Sequence, residues 1–160
     1  MAQPAKKIVE AASEPPPSPA HRFIDPDFDS CGIWLLAELQ SRFRQLTERN
    51  IMGWLRGLIH NPEFLFLRND KAVLLAQQTH EFLEPRPVVL EIFCLAQDGG
   101  NQHAAALYVE MKRWAQSLGA LRLVVEEFTN VPHPMVVEAF GEEPKTEKLS
   151  VIRLRDVMPQ

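Results

Sequence analysis

The residues of this chain that could hold a metal are five histidines, His21, His60, His80, His103 and His133, and two cysteines, Cys31 and Cys94. None falls at the His-x3-His or paired Cys/His spacing that brings ligands onto one face, so no metal site is expected. The two cysteines are too few and too far apart for a disulfide framework; they read as buried small hydrophobes in a reducing compartment. Neither a Gly-x-Ser-x-Gly turn nor a phosphate-loop Lys-Ser/Thr occurs. Two features remain. Glu91 is the one carboxylate inside the apolar run 88–95 (VVLEIFCL). Buried, it would have a raised pKa suited to proton transfer; on a solvated strand face it would be an ordinary acid. Gly99 and Gly100 stand just before an amphipathic stretch. Small residues there would let backbone amides at a helix start meet a phosphate, or would simply turn the chain.

The elements that must position these residues are read from apolar spacing. Residues 22–28 (RFIDPDF) read as an edge strand ending at Pro26. Ser30 is the expected N-cap of a helix over 31–50, with Ile33, Leu36, Leu39, Phe43 and Leu46 at helical steps. A second helix follows over 51–59 and stops before Pro62. Runs 63–67 and 72–77 flank a polar turn and read as a hairpin. Run 88–95 reads as a central strand buried on both faces. A helix is expected over 102–118, with Ala104, Leu107, Tyr108, Met111, Trp114, Ala115 and Leu118 in steps of three and four and Gly119 as its left-handed cap. A strand over 121–128, a weak helix over 133–140 closed by Gly141, and a last strand over 149–154 complete the order. Trp34, Trp54 and Trp114 all fall on apolar helical stripes and are expected in the core.

The chain has 160 residues, 46% hydrophobic and 24% charged, with a net charge of −4. That is one ordinary globular domain, with no excess of positive charge for nucleic-acid binding. No apolar stretch approaches the ~18 residues of a membrane span, and no secretory signal is read at the N-terminus, so a cytoplasmic location is expected. Five of the thirteen prolines precede residue 20, and 11–20 (AASEPPPSPA) lacks any large apolar side chain. Residues 1–21 therefore read as an arm outside a domain spanning 22–157. The arm is either a solvated tail or a segment ordered against a protein partner or a second copy.

The strand–Gly turn–helix–strand unit over 88–128 is a right-handed crossover between parallel strands. At that point the order of elements resembles the GCN5-related N-acetyltransferase (GNAT) fold, an α/β architecture with a mixed central sheet flanked by helices. The resemblance implies an acetyl transfer from acetyl-CoA to an amine. It implies that the cofactor's diphosphate meets the helix N-terminus at Gly99, Gly100, Gln102, His103 and Ala104, and that its amide-bearing arm pairs along the strand at Phe93, Cys94 and Leu95. The family's loop reads Arg/Gln-x-x-Gly-x-Gly/Ala. In one register Gly99, Gln102 and Ala104 occupy its signature positions, with Ala104 matching; in the other, Gln97, Gly100 and Gln102 do, with the first two matching.

The resemblance also implies a carboxylate base on the central strands, Glu91 first and Glu126 second. It implies a Tyr acid in the helix over 131–140, where this chain has none; Tyr108 sits on the preceding helix at a core-facing position, and His133 is a surface-loop residue or a substitute acid. The eroded loop, the missing acid and the arm define an alternative. In that reading the fold is kept as a structural or interaction protein, similar to small components of tailed-phage virions and anchored by its arm. The acyltransferase reading predicts a V-shaped cleft beside the strand over 88–95 with Glu91 facing it; the observation that decides is whether that gap is open or is filled by side chains such as Phe93 and Met135.

Overall fold

In the computed structural model, which describes residues 16–125 and 131–141, the first helix begins earlier than expected. Pro26, with φ fixed at −60°, stands immediately before helix α1 (Asp27–Arg42). Asp27 and Asp29 place negative charge in its first turn, where the helix dipole favours it. Asp27 also accepts the Ile24 amide at 2.8 Å, so an aspartate closes the turn that starts the helix. Ser30 lies inside that turn and donates to the Asp27 carbonyl, so it is not the N-cap. The edge strand shrinks accordingly to β1 (His21–Arg22).

The helical run expected to reach residue 50 breaks at Phe43. Thr47, in extended conformation, accepts the Asn50 amide and caps a new helix, α2 (Glu48–Leu58). The buried stripe of α1 is Phe28, Cys31, Leu35 and Leu39. Ile33, expected to face the core, is 89% exposed, because a start at residue 27 places it on the opposite side of the helix. Trp34 and Trp114 pack against the core, whereas Trp54 on α2 stands partly in solvent.

The hairpin forms as β2 (Phe64–Arg68) and β3 (Ala72–His80), followed by β4 (Pro87–Ala96). Helix α3 (Asn101–Ser117) then crosses back to β5 (Arg122–Val124), and α4 (His133–Phe140) follows, closed by Gly141 at φ +70°. The described sheet has the order β1-β2-β3-β4-β5, antiparallel except for the parallel pair β4–β5. Gly119, at φ +64°, turns the chain after α3 as expected. The expected strand over 149–154 lies outside the described residues.

Strand alternation divides the core into two layers. Phe66, Val73, Leu75, Phe93 and Leu95 face α1 and α2. Leu65, Leu67, Leu74, Val89, Cys94 and Ala96 face α3 and α4. On β4 the parity changes between Val89 and Cys94. The register jumps from Ala76↔Glu91 to Leu75↔Phe93, leaving Ile92 as an extra residue in a β-bulge. At the far end of β2, Arg68 is buried and reaches Asp27 at 3.2 Å, tying α1 to the sheet. Phe23 stacks on Phe66 with ring centroids 4.2 Å apart. Of the Pro-rich arm, residues 16–20 are described. Ser18 accepts the Asp70 amide at 2.9 Å, and Ala20 packs on the α3-side core.

Candidate functional site

Among the described residues, β5 pairs with β4 from Val88↔Arg122 to Leu90↔Val124. The Leu121 amide adds one bond to the Pro87 carbonyl at 2.8 Å. Beyond Leu90, β4 continues to Ala96 paired with β3, and among the described residues β5 no longer follows it. Among the described residues the parallel ladder ends at Leu90↔Val124, one residue before Glu91 and the bulge. Phe93 and Leu95 point their side chains beneath α1 and α2, and Cys94 points toward α3. All three side chains are fully buried, so only their backbone could meet a ligand. Phe93 and Met135 pack in opposite layers, so they do not together plug the gap.

The loop that follows is held by glycine geometry. Gly99 has φ +71°, which side-chain-bearing residues rarely adopt. Gly100 is buried, and a Cβ there would lie 2.8 Å from the carbonyl oxygens of both Gln97 and Lys71. The Gln97 amide donates to Lys71 O at 2.8 Å, and the Gly100 amide donates to Gln97 O. The loop is thus pressed onto the β2–β3 turn. Gly100 caps α3 without a side-chain hydrogen bond, and the first turn of α3 carries no acid. The opening amides of a helix lack intrahelical partners and carry partial positive charge. Here nothing acidic in the first turn neutralises them.

The sequence reading missed Lys71. Its ammonium lies 3.6 Å from where a Gly99 Cβ would be, so a cation sits at the mouth of the α3 N-terminus. The signal was present only as a lysine in a hairpin turn; the pressing of that turn onto Gly100 is a tertiary fact.

Of the other loop residues, Gln102 is exposed, and His103 is partly buried with its carbonyl accepting from Asn69 at 2.8 Å. The His103 Nδ1 is enclosed and has no hydrogen-bond partner among the described residues. Ala104 is fully buried and packs inward rather than lining the loop.

Glu91 is 1% exposed, so the reading of a solvated strand face does not hold. Its carboxyl is turned toward α3, where the Tyr108 hydroxyl donates to Oε1 at 2.9 Å. Tyr108 is in the core, as its helical position indicated, and its ring meets Phe140 edge-on at 5.4 Å. Cys94 completes this buried group. Burial pushes its thiol well above the ordinary value, the nearby Glu91 charge adds to the rise, and a hydrogen bond with Tyr108 opposes it. Glu126 and the His133 side chain lie outside the described residues. Among the described residues no cluster of His, Cys, Asp or Glu is placed to hold a metal ion, and no helix is long and apolar enough to cross a membrane. The two clearest grooves run along the outer side of α3 against β1, β2 and the arm, away from the β4–β5 pair. The strand geometry, not those grooves, marks the candidate site.

The fold is shared with solved acetyltransferases. A probable acetyltransferase superposes with a TM-score of 0.62 at 14% identity, over 76% of this chain and 87% of that one. A putative acetyltransferase from Agrobacterium tumefaciens str. C58 gives 0.55 at 11% identity, over 76% and 88%. The aminoglycoside 6′-N-acetyltransferase AAC(6')-IG from Acinetobacter haemolyticus gives 0.52 at 14% identity, over 67% and 77%. The sequence itself matches no family model and no curated protein sequence. The chain has a GNAT-like fold: a mixed sheet whose parallel pair, β4 and β5, is joined through a glycine loop and helix α3. Its structural neighbours are acetyltransferases.

Proposed function

We propose that the chain is an N-acyltransferase that moves an acetyl group from acetyl-CoA to an amine. The observation that carries this reading is the strand–glycine loop–helix crossover between the parallel strands β4 and β5, whose helix start has no acid in its first turn and has Lys71 at its mouth. These residues fit a diphosphate. Amides at 101–103 and the Lys71 ammonium supply donors and positive charge, and the glycines keep side chains out of the way. In this reading the β4 backbone at Phe93, Cys94 and Leu95 offers strand-spaced groups to the amides of an extended arm. The bound cofactor supplies a thioester whose carbonyl carbon an amine attacks. Glu91, the first β4 residue past the described ladder with β5, takes the proton the amine loses; its carboxyl is turned inward, so it acts through water rather than directly. Glu126 stands second in that role on sequence grounds. The arm at 1–21 adds a contact for a protein partner or a second copy.

Isothermal titration with acetyl-CoA tests the reading, paired with thiol release over a panel of amines. The panel should include an aminoglycoside, the acceptor class named for the Acinetobacter neighbour. Saturable binding with thiol release is expected. No binding at about 1 mM, the upper end of ordinary KM values, would overturn it. A second reading keeps the fold without the chemistry, and the full burial of Glu91 and Tyr108 favours it. Acetyl-CoA binding without thiol release from any amine would select that reading.

A further inference from the structure

Strands β3 and β4 stay paired to their last residues, His80↔Pro87, and between them the chain turns over six residues, 81–86. At the tip, Phe82 is 92% exposed and Leu83 is 87% exposed. Leu83 has φ +65° and is the one non-glycine residue with positive φ among those described. A side-chain-bearing residue is disfavoured there, and glycine or asparagine would make the same turn more easily. A leucine in a strained conformation, next to a phenylalanine in water, does nothing for the turn. It supplies apolar surface.

The tip is braced rather than loose. The Glu84 amide donates to Glu81 O at 3.1 Å, and Glu84 Oε1 accepts both the amide and the side-chain Nε of Arg86, at 3.1 and 3.0 Å. Glu81 is ion-paired with Arg122 of β5. Pro85 and Pro87 stiffen the return. Leu121, partly exposed, bonds to Pro87 and extends the apolar surface from the tip toward β5.

We propose that this tip is a self-association surface: Phe82 and Leu83 of one copy pack against the same residues of a second copy across a two-fold axis. The charges favour that occupant. Each acid of the tip is matched by an arginine of the same copy, so the patch carries no net charge and can face itself without repulsion, as an isologous contact requires. A patch with two acids and no unmatched cation is also a poor fit to an anionic membrane. The area sets the strength. An aromatic side chain supplies about 150–250 Å². With Leu83 the patch is on the order of 350 Å² per copy and about 700 Å² across the pair, below the ~1,200–2,000 Å² of stable complexes. The dimer is therefore weak and forms toward the upper end of the concentration range tested below. This inference is independent of the proposed acyl transfer.

Sedimentation equilibrium of the full chain over about 1 µM to 1 mM tests it. The wild type should rise from 18.2 kDa toward twice that mass. Phe82→Ser and Leu83→Gly should each hold the monomer mass, and Leu83→Gly should melt higher because the backbone strain is relieved. Ile33→Ser, which removes an equally exposed apolar residue from α1, should associate like the wild type. A monomer mass throughout the wild-type range would overturn the proposal. So would association that survives both tip variants, or that Ile33→Ser abolishes. Loss of association in Arg113→Glu, in the groove between β2 and α3, would overturn the tip-to-tip contact in favour of a tip seated in that groove.

Discussion

Replacing Tyr108 by Phe removes one hydroxyl from the core and nothing else. In the folded protein that hydroxyl donates to Glu91 at 2.9 Å, and both residues are fully buried. Leaving a buried acceptor without its donor costs about 1–3 kcal/mol, because water cannot reach the carboxyl to replace it. For a chain of this size each kcal/mol moves the midpoint by about 2–4 °C, so Tyr108→Phe should melt about 2–12 °C lower. The number alone would not identify the partner, since a packing change could give the same loss. A double-mutant cycle does. Glu91→Gln should cost at least about 1 kcal/mol less in the Tyr108→Phe background than in the wild type, because the interaction it would weaken is already absent. Urea unfolding followed by far-UV circular dichroism measures all four corners. Costs that add within about 0.3–0.5 kcal/mol would show that the two groups do not interact, and the placement of Glu91 against α3 would be wrong.

Lys71→Ala should weaken acetyl-CoA binding by about tenfold, the loss of one charge-assisted contact to a phosphate, and should flatten the salt dependence of that binding; a change under about twofold in titration calorimetry would remove Lys71 from the site. Gly100→Ala should destabilise by about 1–3 kcal/mol, since its Cβ would press on two carbonyl oxygens, and should weaken cofactor binding along with it; an unchanged thermal midpoint would mean that the loop gives way freely. The Cys94 thiol is held above its ordinary value of 9.0 by burial. Its contribution to stability is therefore complete below pH 9 and is lost as the pH rises above it, because the unfolded chain ionises first. Stability measured by urea unfolding from pH 7 to 10 should fall more steeply for the wild type than for Cys94→Ala, and parallel curves would refute this.

The crossover at the centre of the fold was legible because every local signal there agreed. The apolar run of β4, the glycine pair, the three-and-four spacing of α3 and the cap at Gly119 each imply the same strand–loop–helix–strand unit. The N-terminal helices were misread for a local reason. Ile33 fits an apolar stripe as well as Leu35 does, and only the early start at Asp27, set by Pro26 and the aspartate turn, decides which of them faces the sheet. Thr47 gave a capping signal, but the apolar residues at 43 and 46 continued the helical period across it. In the site, the sequence left Glu91 open between a buried and a solvated strand face, and its partner was not legible. Tyr108 lies seventeen positions away on another element, and the two meet because α3 packs across β4. Lys71 was illegible for the same reason. The phage-like reading of the arm receives no support from the structure.

The bulge at Ile92 and the placement of Glu91 belong together. A carboxyl group inside a two-layered core must find a partner, and burying it unpaired is costly. Here β4 keeps β3 on one side to its end, and the extra residue comes just after Glu91. The bulge puts Glu91 on the α3 side, where Tyr108 donates to it, and then returns Phe93 and Cys94 to opposite layers, so both cores stay filled. Without the extra residue, strict strand alternation would carry either Glu91 or Cys94 out of the α3 layer, since one position is odd and the other even. The irregularity is therefore built into β4 and is not a defect in packing.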